Sequence, residues 1–493
     1  MDRVKKTAPI IIVVFTMILS FLMHLNIFDK GVTGYHTWRQ SQTGWNIRNF
    51  YRYDSNIFNP RIASFNNGHD NILRYEFPML QWGVAMAEKV FGETNRVMRV
   101  SIFLLGLFSL VGFYFLLRAL GFSPLLSSLG VFAFNFSPVF YYYTVNPLPD
   151  NLALSAGIWY LYFFVESVKK ERLGYSILAG FFISIAALAK LPFIILGGAS
   201  FAYVLRLLLS KKHRNISLAT QQTIIYFLFL IPVFLWYKWV IPGWSGNGIL
   251  KGVFDNQISY GESQRILRSH AEHMFPYVLL NQGHWLFLLT FVFFYFKNKL
   301  FRKEIGIYLT VSLLFVILYF LLEINMINVN HDYYMLPFLP FLFMAVAYGI
   351  RYWWNYHKIT RYLTLILLIS IPFFCYDLSK DKWTAKMGGY PPDLEIYQEE
   401  LTNAVPRDEK CIIVNDPSNY VFAYMIDKQG YIFANDHLPA GWITDLATNH
   451  HIKYMYSNSR KIDERADVKE RIDSLILEAG SIRVFKLKEP VEK

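Results

Sequence analysis

Gly34-Tyr35-His36-Thr37-Trp38-Arg39-Gln40-Ser41-Gln42-Thr43 opens a polar stretch, residues 28–95, that lies between apolar runs at 8–27 and 97–118. Further on, the same stretch carries Tyr75-Glu76-Phe77-Pro78. A segment that only joins two membrane spans is ordinarily short. One this long, dense in His, Arg, Asn, Gln and aromatics, reads as functional. It is expected to form the roof of an active site at the membrane surface.

Working outward, the rest of the chain reads as membrane. Hydrophobic residues make up 54% of it and charged ones 17%, and apolar runs of membrane-crossing length recur. The alternating ten-residue segments of a β-barrel are absent. About eleven spans are expected, near 8–27, 97–118, 123–143, 150–168, 175–190, 191–210, 221–241, 278–296, 305–324, 334–350 and 362–376. The fold class is therefore an α-helical polytopic membrane protein. Met1–Lys6 with the run behind it resembles a signal peptide, but a small-x-small cleavage site is missing, so it reads as an uncleaved first helix. Two cysteines, Cys375 and Cys411, are too few for a disulfide framework or a cysteine zinc site.

The net charge of +12 comes from short basic clusters between the apolar runs, a pattern that sets topology and argues against nucleic acid as a partner. The clusters are Arg3/Lys5/Lys6, Arg118, Lys169/Lys170/Arg172, Lys211/Lys212/Arg214, Lys297/Lys299/Arg302/Lys303 and Arg351/Lys358/Arg361. With the spans above, all of them fall on one side, as the cytoplasm requires. The opposite, outward side then receives the loop 28–95, the turn Asn146-Pro147-Leu148-Pro149-Asp150, Lys190 in a tight Lys190-Leu191-Pro192 turn, and the loop 242–277. It also receives Asn330-His331-Asp332-Tyr333-Tyr334 and the tail after 376.

Two helices are expected inside the first loop. Over 35–51, His36, Arg39, Gln40 and Thr43 share one face. Over 77–91, Phe77, Leu80, Val84, Ala87 and Phe91 make an apolar stripe that would lie in the membrane interface, with Pro78 in its first turn and Gly92 at its stop. The tail changes character. Short strands are expected at 411–414, 431–434, 452–456 and 482–487, with helices near 394–404, 439–450 and 466–479, which is a small α/β domain. The chain thus divides into a membrane part, 1–376, and an extracytoplasmic α/β part, 377–493.

These motifs, in this order and on one side, resemble the GT-C membrane glycosyltransferases, specifically the branch of protein O-mannosyltransferases and lipid A aminoarabinose transferases. The likeness spans roughly residues 5–376 in architecture, with local motifs at 35–50, 75–82, 146–152, 186–192 and 330–340. It implies transfer of a sugar from a polyprenyl-phosphate donor to a lipid, glycan or protein acceptor at the outer face of a bacterial inner membrane, with inversion. The residues fit that chemistry. An anionic phosphate at the hydrocarbon edge needs cations, for which Arg39, Arg48, Arg74 and Lys190 are candidates. Phosphate leaves readily, so charge stabilisation can replace a general acid, while the acceptor still needs a base. Relatives carry an acid early in the first outer loop; here His36-Thr37-Trp38-Arg39-Gln40 stands there and the first acid is Asp54. Glu76 matches the acid of the relatives' Glu-Lys-Pro element and is the first candidate base, followed by His36 and the His331-Asp332 pair.

Trp38, Gln40, Asp150, Tyr333 and Tyr334 complete the expected substrate contacts. Several candidates have a structural alternative: lipid anchoring for Arg39, an exposed loop acid for Glu76, helix capping for Asp150, snorkelling for Lys190, an interface belt for Tyr333 and Tyr334. A divalent cation is a further candidate, on His270, His273 and His284 with Glu76, as some relatives bind one there. Competing functions are a transporter or flippase of a lipid-linked glycan and a glycan polymerase or ligase. Repeated halves and broken mid-membrane helices, which would favour transport, are not evident.

Overall fold

The computed structural model describes residues 2–66, 68, 70–210, 213–244, 258–324, 326–327 and 331–489. Asn330, Lys211, Lys212 and residues 245–257 of the loop 242–277 therefore lie outside the described residues, as do the side chains of Arg3, Lys5, Lys6 and Arg214. The chain falls into two compact units. One comprises Met1–Phe28, Tyr75–Leu80 and Arg99–Lys380; the other comprises Asp29–Arg74, Gln81–Met98 and Asp381–Lys493.

The first unit is a helical bundle. Among the described residues, seven helices are long and apolar enough to cross a membrane, from Thr7–His24 to Lys358–Ser379. Shorter apolar helices at Pro124–Asn135, Leu173–Ala189 and Trp285–Lys297, with Asp150–Lys170, lie at the other four expected positions. Four spans are less regular than their hydropathy suggests. The second outward-going one breaks at Ser137-Pro138 into Pro124–Asn135 and Pro138–Tyr143, because a proline cannot continue the hydrogen-bond ladder. The spans expected at 191–210 and 334–350 begin as tighter turns, Leu191–Gly197 and Asp332–Phe338, each holding a proline. The one expected at 278–296 becomes α-helical only at Trp285. Close helix packing depends on glycine in places. A Cβ on Gly349 would stand 2.0 Å from the Phe287 carbonyl oxygen, so only glycine lets Leu339–Tyr356 lie against Trp285–Lys297.

Contacts chain the basic segments together at one end of this bundle. Lys169 donates to the Ala119 carbonyl and Arg118 to that of Phe122, whose ring lies 5.4 Å beneath the Arg351 guanidinium. Asn298 donates to Tyr352 at 2.9 Å, and Arg206 pairs with Glu304 at 2.8 Å.

The second unit joins the first loop to the tail around a five-stranded sheet. Its strands are β1 (Cys411–Val414), β2 (Gly430–Phe433), β3 (Tyr454–Ser457), β4 (Ile472–Ala479) and β5 (Ile482–Leu487), in the order β2-β1-β3-β5-β4. The first three are parallel; β5 runs antiparallel to β3 and to β4. Ile412, Val414, Met455 and Phe485 pack against Ile443 and Leu446 of the helix Trp442–Asn449 to make its core. The loop docks by backbone pairing. Ala63 and Phe65 exchange hydrogen bonds with Gly430 at 3.0 and 2.9 Å, and the Asn66 side chain caps Ile432 at 2.6 and 2.9 Å. Tyr35 donates to Lys382 O at 2.9 Å beside Gly34, which has φ +88° and would place a Cβ 2.1 Å from that oxygen.

Three local expectations need correction. The helix expected over 466–479 stops at Arg471, and Ile472–Ala479 is strand β4. Its register with β5 closes through Gly480 at φ +61°, so hairpin pairing overrides the helical reading of the leucines. The helix Val421–Met425 was not anticipated at all. In the helix Met79–Phe91, Leu80 and Val84 of the expected membrane-facing stripe are instead buried with Gln81, Ala85 and Glu88, while Phe91 of that stripe is exposed with Trp82 and Val90. Two polar residues thus share the inward face with part of the stripe that hydrophobicity alone suggests.

Candidate active site

At the other end of the bundle the polar motifs meet. Pro147 and Pro149 stop the preceding chain from continuing as helix, and Asp150 takes the first turn of Asp150–Lys170 with only 1% of its surface exposed. The helix Leu173–Ala189 ends at Lys190, whose extended backbone (φ −159°, ψ 109°) releases the chain into Leu191-Pro192. A lysine there complements the partial negative charge of the helix C-terminus. Its Nζ lies 3.7 Å from Asp150 Oδ2 and 5.0 and 5.7 Å from the Tyr334 and Tyr333 ring centroids. In a site this buried, such a cation acts through a lower dielectric than water, so its field on a nearby anion is strong.

The neighbouring segments are tied to the same place. The buried carboxylate of Asp332 accepts from the Tyr143 hydroxyl, and the Tyr143 ring stands edge-on to Tyr333 at 6.2 Å. His331 lies 6.0 and 5.7 Å from the Tyr333 and Tyr334 rings. The Asn146–Asp150 turn is held by fully buried Arg99, which donates to Val145 O at 2.9 Å and Asn146 Oδ1 at 2.5 Å. Asn151 adds bonds to Tyr143 O and Asn146 O at 2.9 and 2.8 Å. Glu76 is brought in by its neighbours. Phe77 N–H donates to Leu188 O at 2.9 Å, two residues before Lys190, and Trp236 donates to Tyr75 O at 3.1 Å. The Tyr237 hydroxyl reaches Ala187 O and Leu188 O, both at 3.1 Å, and lies within the electrostatic reach of Glu76 and Asp150.

The remaining candidates belong to the second unit. The helix expected over 35–51 begins at Thr37; His36 precedes it in the left-handed region (φ 57°, ψ 31°), its ring 4.1 Å from Tyr35 and 6.5 Å from Trp38. Arg39 donates to the Gln42 side chain, and Gln40 donates to Tyr35 O at 2.8 Å. Arg48 is engaged within this unit. It stacks 3.7 Å over Tyr424, donates to Tyr424 O at 2.7 Å and pairs with Asp427 at 3.2 Å. Arg74 pins its own loop through Phe58 O at 2.8 Å and Asn59 at 3.1 Å.

The structure thus gathers Glu76, Asp150, Lys190, His331, Asp332, Tyr333 and Tyr334 in one unit and His36, Trp38, Arg39 and Gln40 in the other. The cation site expected on His270, His273, His284 and Glu76 is not assembled. His284 uses both ring nitrogens, towards Asn281 N and Ala133 O, and His270 Nδ1 bonds Ile266 O. Among the described residues no three His, Cys, Asp or Glu side chains converge as metal ligands. Tyr143, Arg99, Asn151 and Tyr237 were missed. Nothing local points to Tyr143, Arg99 or Tyr237, whose partners stand some fifty to two hundred residues away, whereas Asn151 lies within the 146–152 motif.

Comparison with known proteins identifies the fold. Residues 76–239, which include Glu76, Asp150 and Lys190, match the family described as dolichyl-phosphate-mannose-protein mannosyltransferase. ArnT from Cupriavidus metallidurans, bound to undecaprenyl phosphate, superimposes with a TM-score of 0.62 at 12% identity, over 97% of this chain and 98% of that one. The chain has the GT-C fold. The oligosaccharyltransferase of Archaeoglobus fulgidus, tethered to an acceptor peptide, gives a TM-score of 0.60 at 11% identity over 93% of this chain and 70% of that one. Arabinofuranosyltransferase AftD from Mycobacteria gives 0.53 at 12% identity, over 98% of this chain and 40% of that one. No curated protein matches the chain in sequence.

Proposed function

We propose that this protein is a glycosyltransferase that moves a sugar from a polyprenyl-phosphate donor to an acceptor on the outer face of the membrane. The observation that carries the reading is the placing of Lys190 with Asp150, Tyr333 and Tyr334 where the apolar bundle ends. A lipid phosphate has to sit at such a boundary, with its chain among apolar helices and its charge against a cation. ArnT with undecaprenyl phosphate and an archaeal oligosaccharyltransferase with dolichol-phosphate, both of this fold, support the donor class.

In the reaction, an acceptor hydroxyl or amine attacks the anomeric carbon as the bond from that carbon to the phosphate oxygen breaks. The electron pair leaves on the polyprenyl phosphate, where Lys190 stabilises the charge. The acceptor proton passes to a base, for which Glu76 is the first choice and His36 and the His331-Asp332 pair are the others. Arg39, Trp38 and Gln40 are assigned to substrate contact. The clustered basic end is cytoplasmic by the positive-inside rule, which puts the site and the tail outside a bacterial inner membrane.

The test is mass spectrometry of surface glycolipids and glycans from cells with and without the gene, with Glu76→Gln and Arg39→Ala complements. Loss of one defined sugar, restored by the wild type and by neither variant, is expected. Glycans that do not change on deletion, with a lipid-linked sugar accumulating on the inner leaflet, would replace transfer with transport.

A further inference from the structure

The second unit holds a groove that nothing above uses. Its larger lobe, about 600 Å³, runs along the helix Gln398–Asn403 and is floored by Arg48, Met425 and Asp427. A smaller lobe of about 270 Å³ shares Arg48, Glu395, Gln398 and Met425 with it and continues to Trp383, Tyr424 and Thr33. The larger lobe falls within the roughly 300–1,000 Å³ usual for small-ligand sites, and the smaller one extends it.

The lining selects a chemistry. The larger lobe presents Glu395, Glu399 and Glu400 beside Asp427, whose charge Arg48, Arg52 and Arg407 already neutralise. The Arg48 guanidinium is itself bound to Asp427 at 3.2 Å and Tyr424 O at 2.7 Å and stacked on the Tyr424 ring. In the larger lobe an anionic head group would therefore meet the negative charge of Glu395, Glu399 and Glu400, and the groove's other cation, Lys30, lines the smaller lobe. Carboxylates, the Gln398 and Asn403 amides and the Thr402 hydroxyl suit a ligand rich in hydroxyl donors. Indole and phenol rings in the smaller lobe suit its C–H faces. The floor is prearranged. Gln398 donates to Met425 O at 3.0 Å, and Glu395 accepts from the Thr33 and Tyr390 hydroxyls.

We propose that this groove is a saccharide site that seats an uncharged glycan, the part of the acceptor distant from the reacting group. Its role as an acceptor site rests on the transferase reading; its ability to bind a glycan does not. Binding energy gathered there holds the acceptor without entering the chemical step, so loss of the groove raises KM for acceptor and spares kcat.

The experiment uses the full chain in nanodiscs and reads saturation-transfer NMR with three probes: neutral di- to tetrasaccharides, the same saccharides phosphorylated, and a lysine-rich peptide. Neutral saccharides are expected to bind and phosphorylated ones to bind at least about tenfold more weakly. Thr402→Trp, which fills the larger lobe from an exposed helix, weakens binding at least about tenfold and raises acceptor KM by a similar factor at unchanged kcat, while Thr402→Ser stays near wild type. Glu399→Lys narrows the gap between neutral and phosphorylated probes. Tighter binding of the phosphorylated saccharides or the peptide overturns the proposal, as does saccharide binding that Thr402→Trp leaves untouched. Transfer with an acceptor KM indifferent to Thr402→Trp removes the groove and keeps the enzyme. Saccharide binding without transfer from any polyprenyl-phosphate sugar removes the enzyme and keeps the groove.

Discussion

Two places among the described residues that concentrate buried charge are built in opposite ways. At the polar end of the bundle, one lysine faces carboxylates among tyrosine rings: Lys190 with Asp150, Tyr333 and Tyr334, and Asp332 under Tyr143. In the second unit, three arginines close on one carboxylate. Asp427 is reached by Arg52 at 2.7 Å and by Arg48 and Arg407, both at 3.2 Å, while Arg52 also holds Glu93 at 2.6 Å. Tyrosine hydroxyls and a mobile-headed lysine can exchange partners for a substrate phosphate. Interlocked guanidinium forks cannot do so without leaving a buried charge uncompensated. The first arrangement is suited to chemistry, the second to holding the loop on the tail.

The largest expected effect separates them outright. Lys190→Ala should lower transfer at least about 100-fold, the scale of losing a preorganised charge at the reacting phosphate. Because Asp150 is buried beside it, the double variant Asp150→Asn, Lys190→Met is the sharper test. It should fold with a thermal midpoint near wild type and remain inactive. Activity in either variant would put Lys190 among the snorkelling lysines.

The arginine cluster should fail in the other direction. Asp427→Asn leaves Arg48, Arg52 and Arg407 facing one another and should cost about 3 kcal/mol of stability in the second unit. Burial alone would raise the Asp427 carboxyl, but the charges of Arg48, Arg52 and Arg407 hold it below its ordinary 3.8. The stabilisation is therefore present above that value and is lost as pH falls through the lower folded one. Wild type and variant should converge in urea titrations carried out at increasingly acid pH. A gap that persists there would mean the cluster is not what holds the unit.

This contrast also marks where the sequence is legible. Spans announce themselves through apolar length, and the turns at Pro149, Lys190 and Asp332 through the residues that end helices, so the polar end of the bundle could be listed before its geometry was known. The arginine cluster could not. Arg48 reads as a phosphate ligand when only its loop is in view, because Asp427 stands 379 residues away in sequence. The same blindness to partners turned β4 into a helix, since its pairing with β5 outweighs local propensity. It also hides the inward face of Met79–Phe91, where Gln81 and Glu88 are buried beside Leu80 and Val84.

Glu88 makes that last point measurable. The residue is 3% exposed and its Oε2 has no hydrogen-bond partner among the described residues. Burial, aided by Glu93 and opposed by Arg48 and Arg52, pushes the carboxyl up from 4.5 to about 8. A raised folded value means no penalty below about 4.5, a penalty that grows as pH rises to about 8, and none added beyond. Glu88→Gln should therefore match wild type at pH 4 and become progressively more stable than it up to pH 8, by a few kcal/mol at most. A difference independent of pH would show that Glu88 ionises freely and that the helix is oriented otherwise.

The smallest effect belongs to the basic end of the bundle, and it completes the contrast. Arg206 pairs with Glu304 at 2.8 Å and donates to Tyr308 at 2.9 Å, but both charged side chains are about half exposed, at 51% and 53%. Exposed pairs of this kind contribute about 0–1 kcal/mol, because water already solvates both ends and salt screens what remains. Arg206→Ala should shift the thermal midpoint by about 2 °C or less, with that shift shrinking further at 0.5 M salt, and should leave transfer unchanged. A loss of activity there, at a site the chain's topology places opposite the chemistry, would mean that charge at the two ends of the bundle is coupled through the helices, not divided between anchoring and reaction.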